Sequence, residues 1–512
     1  MKKLLCIFLS LALLLSLFAA CSASESETTE ESETAAETAV VSESQTTDET
    51  ADASSGEDDR PSPPDGEPPE GDPPGEPPEG GPGGNGGAPD GDPPGEPPEG
   101  GPGGNGGAGD SSDASGEASV TAGEATTLLD TDGNPVSSGS AEVSFGSTVV
   151  TVSAAYLIDG VDVVITEGEY ISASGSADQT VFLVVNGGSL TVAGSEDAPV
   201  TISKTGSAAS GGQVDDAYNF YGVNSAVVAA GKDVTVTIEN AVIDTDAAGA
   251  NAVVSTCGAS VTVKDSVITT EGSAGSRGLH ATYGGTITAS SVSISTQGAS
   301  SAALATDRGG GTIVAENMTL RTASAGSPLI YSTGSITVAD STGYAAGAQM
   351  VVVEGGSSAD LTRCVFSAKG AGNRTGESES DSSTHEIDAA GIFIYQSFSG
   401  DASEGTDYFS ATDCTFTVET AGVPMFFVTN ISAEITLSGN EFVSASSEDY
   451  FLIAEETDQW GTVGNNGGVC RITVTAQDLS GEKVFVGSSS SSATFTATDS
   501  SSTAVALETG TW

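Results

Sequence analysis

Residues 276–296 read SRGLHATYGGTITASSVSIST. The strings at 305–320, ATDRGGGTIVAENMTL, and 327–344, SPLIYSTGSITVADSTGY, repeat their order of apolar positions, small residues and glycine corners. Working outward, one column of apolar anchors runs Ile243, Ile268, Ile294, Leu320, Tyr344 and Phe366 at steps of 22 to 26 residues, and resumes at Phe416 and Phe442. A second column runs Val228, Val254, Leu279, Leu304 and Leu329. Two columns in phase over this span are the mark of a solenoid.

Around the anchors, apolar residues alternate with Thr or Ser, as in Val261-Thr262-Val263 and Thr235-Val236-Thr237-Ile238, and glycine corners such as Gly284-Gly285 separate the runs. Period two with β-branched residues specifies strands and disfavours helical repeats. A repeat of this length holds roughly three short strands and their corners, so each repeat is one coil of an all-β, single-stranded parallel β-helix. Two residues before the anchors, Ala241, Ser266, Val292, Met318, Thr342, Cys364, Cys414 and Asn440 share the inward face by the pleat. One position further back, Asn240, Asp265, Ser291, Asn317, Ser341, Arg363 and Asp413 form a polar column, expected to be a stacked bend.

Ahead of the coils, residues 1–20 form an export signal: Lys2-Lys3, an apolar run from Leu4, then Leu17-Phe18-Ala19-Ala20 before Cys21. This resembles the bacterial lipoprotein signal, which implies lipidation of Cys21 and anchoring on the outer face of a membrane. Residues 21–130 are an acidic spacer. From Ser22 to Asp130 there are 28 Asp or Glu against Arg60 alone, and GDPPGEPPEGGPGGNGGA occurs at 71–88 and again at 91–108. Such a segment cannot bury a core, and its Pro pairs favour extended polyproline II. The folded domain is expected over 131–512.

The formal charge of −57 excludes nucleic acid as a partner and disfavours anionic lipid surfaces. It leaves cations and neutral glycans. Four cysteines fall in the domain, Cys257, Cys364, Cys414 and Cys470, with no zinc spacing. Cys364 and Cys414 share a column, as buried thiols or as a disulfide. The Asp130–Asn134 string reads as a tight turn, lacking the residue order of an EF-hand. Strands over 143–152, 156–166, 181–185, 189–192 and 200–202 are expected as early coils or a cap.

The later coils carry polar insertions near 369–388, 396–408 and 455–468. The last two follow the first strand of their coils and should leave at the same corner, where binding loops of a rigid solenoid gather. They bring together Tyr395, Phe398, Asp401, Glu404, Asp407, Tyr408, Trp460, Asn465 and Asn466 as ligand-binding candidates: aromatics to stack on sugars, carboxylates and amides for hydroxyls or for Ca2+. No resident cofactor is expected.

These repeats, with YQSFSGDASEGT at 395–406 and WGTVGNNGG at 460–468, resemble right-handed β-helix surface proteins of the pectin-lyase-like superfamily, and more narrowly the exported adhesin-like proteins of Gram-positive anaerobes. The resemblance spans roughly residue 141 to the end and implies fold more than function, since this superfold carries lyases, hydrolases and adhesins alike. A hydrolase of that family would carry N-x-D, D-D, G-H-G and R-x-K strings on successive coils, and none occurs in order. The nearest catalytic cluster is Arg277, His280, Asp307 and Arg308, with His280 and Asp307 expected as diagonal neighbours on an outer face, an ion pair in the simplest reading. Outward Thr rows as an ice-binding array are set aside, because Lys264, Glu316 and Arg321 interrupt them. The expectation is a non-catalytic cell-surface lipoprotein presenting the β-helix for adhesion or glycan binding. The alternative is a β-helix polysaccharide lyase or glycoside hydrolase with a divergent site.

Overall fold

A computed structural model describes residues 127–172, 178–206, 215–371, 389–397, 402, 404–457 and 467–510, all within one compact unit, Ser112–Trp512. The signal, Cys21, the spacer as far as residue 126, Phe398, Asp401, Trp460, Asn465, Asn466 and most of the 369–388 insertion lie outside the described residues, whereas 127–130, expected as the end of the spacer, belong to the folded unit.

Three sheets of 14, 12 and 10 strands take the strands in rotation, so that each holds every third strand of the chain over the regular coils. One coil runs Val253–Thr256 in the first sheet, Ser260–Lys264 in the second and Val267–Thr270 in the third, then returns to the first at Leu279–Thr282. Each strand pairs in parallel with its counterpart one coil on, as Val261 does with Ile287 and Ile268 with Ile294. This is the arrangement of a parallel β-helix, and the apolar members of each alternating strand meet inside the coils, where most are fully buried. At the N-terminal end, Leu128–Leu129 pairs antiparallel with Pro135–Val136, and Leu128 is buried in the same core as Tyr156 and Tyr170. The connecting turn is held by Asp130, whose Oδ1 accepts from the Asp132 and Asn134 amides at 3.0 and 2.7 Å. This is a tight turn.

The third-sheet column matches the sequence except at one coil. Leu320 pairs with Gly343, not Tyr344, and Gly343 with Phe366. The reason is volume: a Cβ on Gly343 would stand 2.5 Å from Leu329 Cδ1 and 3.1 Å from the Phe366 ring, so large neighbours occupy the anchor's place. The slip also moves the small inward position from Thr342 to Ser341 and the bend from Ser341 to Asp340. Asn240, Asp265, Ser291, Asn317, Asp340, Arg363 and Asp413 all take φ between 46° and 56°, the left-handed region that Asn and Asp tolerate best. Beside them the inward side chains make a ladder. The Ala241 N–H donates to Ser266 Oγ, Met318 N–H to Ser341 Oγ, Cys414 N–H to Asn440 Oδ1 and Asn440 N–H to Gln477 Oε1, at 2.7–3.1 Å.

In the first sheet the expected column breaks twice. Val254 pairs with His280, and Leu304 with Ile330; the true inward row is Val253, Leu279, Leu304, Ile330 and Val351. Early strands of this sheet are buried on both faces, as Val227, Val228, Val253 and Val254 show, so hydrophobicity does not mark their phase. The second sheet presents Ser189, Thr235, Ser260, Thr286, Thr312 and Ser335 as one outward row and Thr191, Thr237, Thr262, Thr288, Val314 and Thr337 as another. Lys264 and Glu316 stand in a separate row, and Arg321 belongs to the third sheet beside Ser295 and Tyr344. The interruptions inferred from the sequence therefore do not fall within these two rows.

Candidate functional site on the outer face of the first sheet

Parallel pairing stacks His280, Ala305, Tyr331, Val352, Phe393, Phe427, Ile453 and Phe485 in one outward row of the first sheet. Two residues along, Glu354, Tyr395, Thr429 and Glu455 form the neighbouring row, at the corner where the chain leaves the sheet. Tyr395 and Glu455 thus leave by the same corner, as the coil scheme requires.

His280 and Asp307 do meet on this face, but it is covered. His280 is 0% exposed and Asp307 2%. Residues 215–223, including a single helical turn at Asp216–Asn219 capped by Asp215, lie over them. Thr282 Oγ1 donates to the Phe220 carbonyl at 2.9 Å, and Arg277 Nη1 to Asn219 Oδ1 at 3.0 Å. Tyr218, Phe220, Tyr221 and Val223 join a separate apolar cluster with Val228 and Val254. The expected surface ion pair is corrected to a sealed one: Arg277 Nη2 stands 2.9 Å from Asp307 Oδ2, and His280 Nε2 stands 3.6 Å from the same oxygen, beyond hydrogen-bond reach. Burial pushes His280 down to about 4; Asp307 opposes this and the Arg277 cation reinforces it. The imidazole is neutral at pH 7, with neither ring nitrogen hydrogen-bonded among the described residues. Arg308 turns away, to Asp216 Oδ2 at 2.7 Å with its guanidinium 4.0 Å above the Phe220 ring.

A second polar group surrounds Glu354, which is 1% exposed. Its carboxyl accepts from the hydroxyls of Tyr331, Tyr395 and Ser397, the Tyr395 bond being 2.8 Å. Tyr395 stacks on Phe393 at 4.4 Å. Burial raises the Glu354 carboxyl against these three donors, and the nearby Asp307 charge adds to the rise. The adjoining turn, Gly355-Gly356-Ser357, holds Asp407: the Ser357 N–H donates to Asp407 Oδ1 at 3.0 Å. Burial pushes Asp407 up to about 8 despite the amides of that turn. Gly405 lies so close that a Cβ there would stand 2.9 Å from Gly356 Cα. Residues 354–357 therefore hold both ends of the 396–408 insertion, through Ser397 at one end and Asp407 at the other. Glu455, in the same row as Glu354, is raised to about 7 by burial alone.

Of the remaining loop candidates, Asp407 faces inward with Phe409 and Ala411, so it serves the scaffold rather than a surface. Tyr395 is half-buried, Glu404 is exposed, and Tyr408 is 50% exposed on the second sheet. Glu354 and Tyr331 escaped the sequence reading. The one available signal was a glutamate ending an otherwise apolar strand, Val351–Glu354, before a glycine pair. Among the described residues no group of three or more His, Cys, Asp or Glu side chains is arranged to hold a metal ion. No family model, curated protein or solved structure matches the chain.

Proposed function

We propose that this chain is a non-catalytic surface lipoprotein of the pectin-lyase-like type, its coils winding right-handed, carried from a membrane-anchored Cys21 on the acidic spacer and presenting the corner around Tyr395, Glu404 and Tyr408 to glycans. A right-handed winding follows the general preference of parallel crossovers. The observation that carries the non-catalytic reading is that the three acid or base groups on the outer face of the first sheet, His280, Asp307 and Glu354, are all buried. His280 and Asp307 are buried beneath residues 215–223, and Glu354 is saturated by three hydroxyls. A general base must reach its substrate proton.

The enzymatic alternative draws on a different observation. Asp307 and Glu354 lie two coils apart on one face, about 10 Å between Cα atoms at the usual strand spacing, close enough for the Asp307 charge to be felt at Glu354. One assay separates the readings. Neutral and uronate polysaccharides are immobilised for retention and also supplied in solution for product analysis. Retention that is lost in Tyr408→Ala, with the fold intact, is the expected result. Release of unsaturated or new reducing ends, abolished by Glu354→Gln, overturns the non-catalytic reading, and failure to bind any glycan overturns the glycan reading. Palmitate labelling of cells, lost in Cys21→Ala, tests the anchor.

A further inference from the structure

Thr362 pairs with Thr412 and Val365 with Thr415, so Cys364 and Cys414 occupy the same rung of adjacent coils. The residues before them, Arg363 and Asp413, have φ of 52° and 53°, so the two backbones are superposable copies one coil apart. Neighbouring coils sit about 4.8 Å apart, within the roughly 4.4–6.8 Å between Cα atoms that a disulfide spans.

Both thiols are free and buried. Cys414 Sγ accepts the Cys364 N–H at 3.3 Å, while Cys364 Sγ lies 3.5 Å from the Val338 and Thr362 carbonyls. Each side chain therefore leans toward the coil before it. Elsewhere on this ladder the acceptor is Ser266, Ser341, Asn440 or Gln477. Sulfur is a weak acceptor, so the rung from the Cys364 N–H to Cys414 Sγ is a poor hydrogen bond.

We propose that Cys364 and Cys414 are a thiol–disulfide site, oxidised by a small-molecule disulfide to a bond that staples two adjacent coils. The Cys414 thiolate attacks one sulfur of the oxidant and expels one thiolate. The Cys364 thiolate then attacks Cys414 sulfur in the mixed disulfide and expels the second. The protein loses two hydrogens and the oxidant is reduced to two thiols. The order follows from the contact between them, which lowers Cys414 to about 7 and, with burial, holds Cys364 far above the usual thiol range. The loop so closed, residues 365–413, contains Tyr395, Ser397 and Asp407.

To test this, the reduced, denatured full chain is refolded in mixed reduced and oxidised glutathione, then alkylated in denaturant and mapped by mass spectrometry. The expected result is a Cys364–Cys414 cross-link with Cys257 and Cys470 alkylated, and a thermal midpoint about 5 °C above that of the reduced protein. The shift persists in Cys257→Ser and vanishes in Cys414→Ser. Refolded wild type in which all four of these cysteines are alkylated, or in which another pair is joined, overturns the proposal without reference to any variant.

Discussion

Asp407 Oδ1 accepts the Ser357 amide at 3.0 Å from inside the coil, so one corner of the solenoid is held by a carboxyl group buried among apolar residues. The Asp407 pKa is raised to about 8 in the fold, against about 3.9 in the unfolded chain. The protonated form is the one the fold favours. Its stabilising contribution is therefore complete below about pH 4 and is lost as pH rises toward 8, on the order of a few kcal/mol in all. Denaturant titrations at stepped pH should show that decline in wild type and a flatter profile in Asp407→Asn. An equal decline in both proteins would show that Asp407 does not cause it.

His280 works from the acid side. Its pKa falls to about 4 in the fold, from an unfolded value of about 6.5. Its contribution is present above pH 6.5 and is lost as pH falls through 4, about 3 kcal/mol over the window. Proton NMR of the imidazole C–H should show His280 untitrated at pH 5.5. A midpoint near 6.5 would contradict its burial.

The Arg277–Asp307 pair predicts an asymmetry. Asp307→Ala leaves a buried guanidinium with Asn219 as its side-chain partner among the described residues and should cost about 3–5 kcal/mol, whereas Asp307→Asn, which keeps a polar acceptor, should cost less. Denaturation midpoints of the two variants check the order. The Arg308–Asp216 pair, more exposed, should give under about 1 kcal/mol in a double-mutant cycle.

Gly343 is small because its neighbours are large. Gly343→Ala brings a methyl to 2.5 Å from Leu329 Cδ1 and should cost about 1–3 kcal/mol. Leu329→Ala opens the space, so the double variant should lose clearly less than the sum of the two single losses. Additive losses would mean that the two side chains do not compete for the same volume.

The third-sheet column was readable because it is one-sided: Ile243, Ile268, Ile294 and Leu320 are buried while Asp244 and Arg321 beside them are exposed. Burial on one face stamps period two into the residue types. It failed at Tyr344, where Leu329 and Phe366 supply the apolar volume and the anchor position itself holds Gly343. The first sheet was misread at the step from Val254 to Leu279 and again from Leu304 to Leu329, because strands buried on both faces carry no such stamp.

The candidate site divides the same way. That Arg277, His280 and Asp307 belong together was legible, since a repeat of known length places them on neighbouring coils. That residues 215–223 cover them was not, because the cover comes from more than 50 residues earlier and its contacts depend on Asn219 and Phe220 arriving over the right coils. Glu354 meets Tyr331, Tyr395 and Ser397 from 23, 41 and 43 residues away, and a slip of one position would turn its carboxyl into the core.

By itself the sequence determined a repeating three-strand coil, its polar bends and the corner from which the loops leave, since these follow from local alternation and turn chemistry repeated at a near-constant interval. Only the tertiary structure decided which outward residues see water and which carboxyls are protonated at neutral pH. Those properties depend on register and cover, which are set by volumes and side chains in other coils.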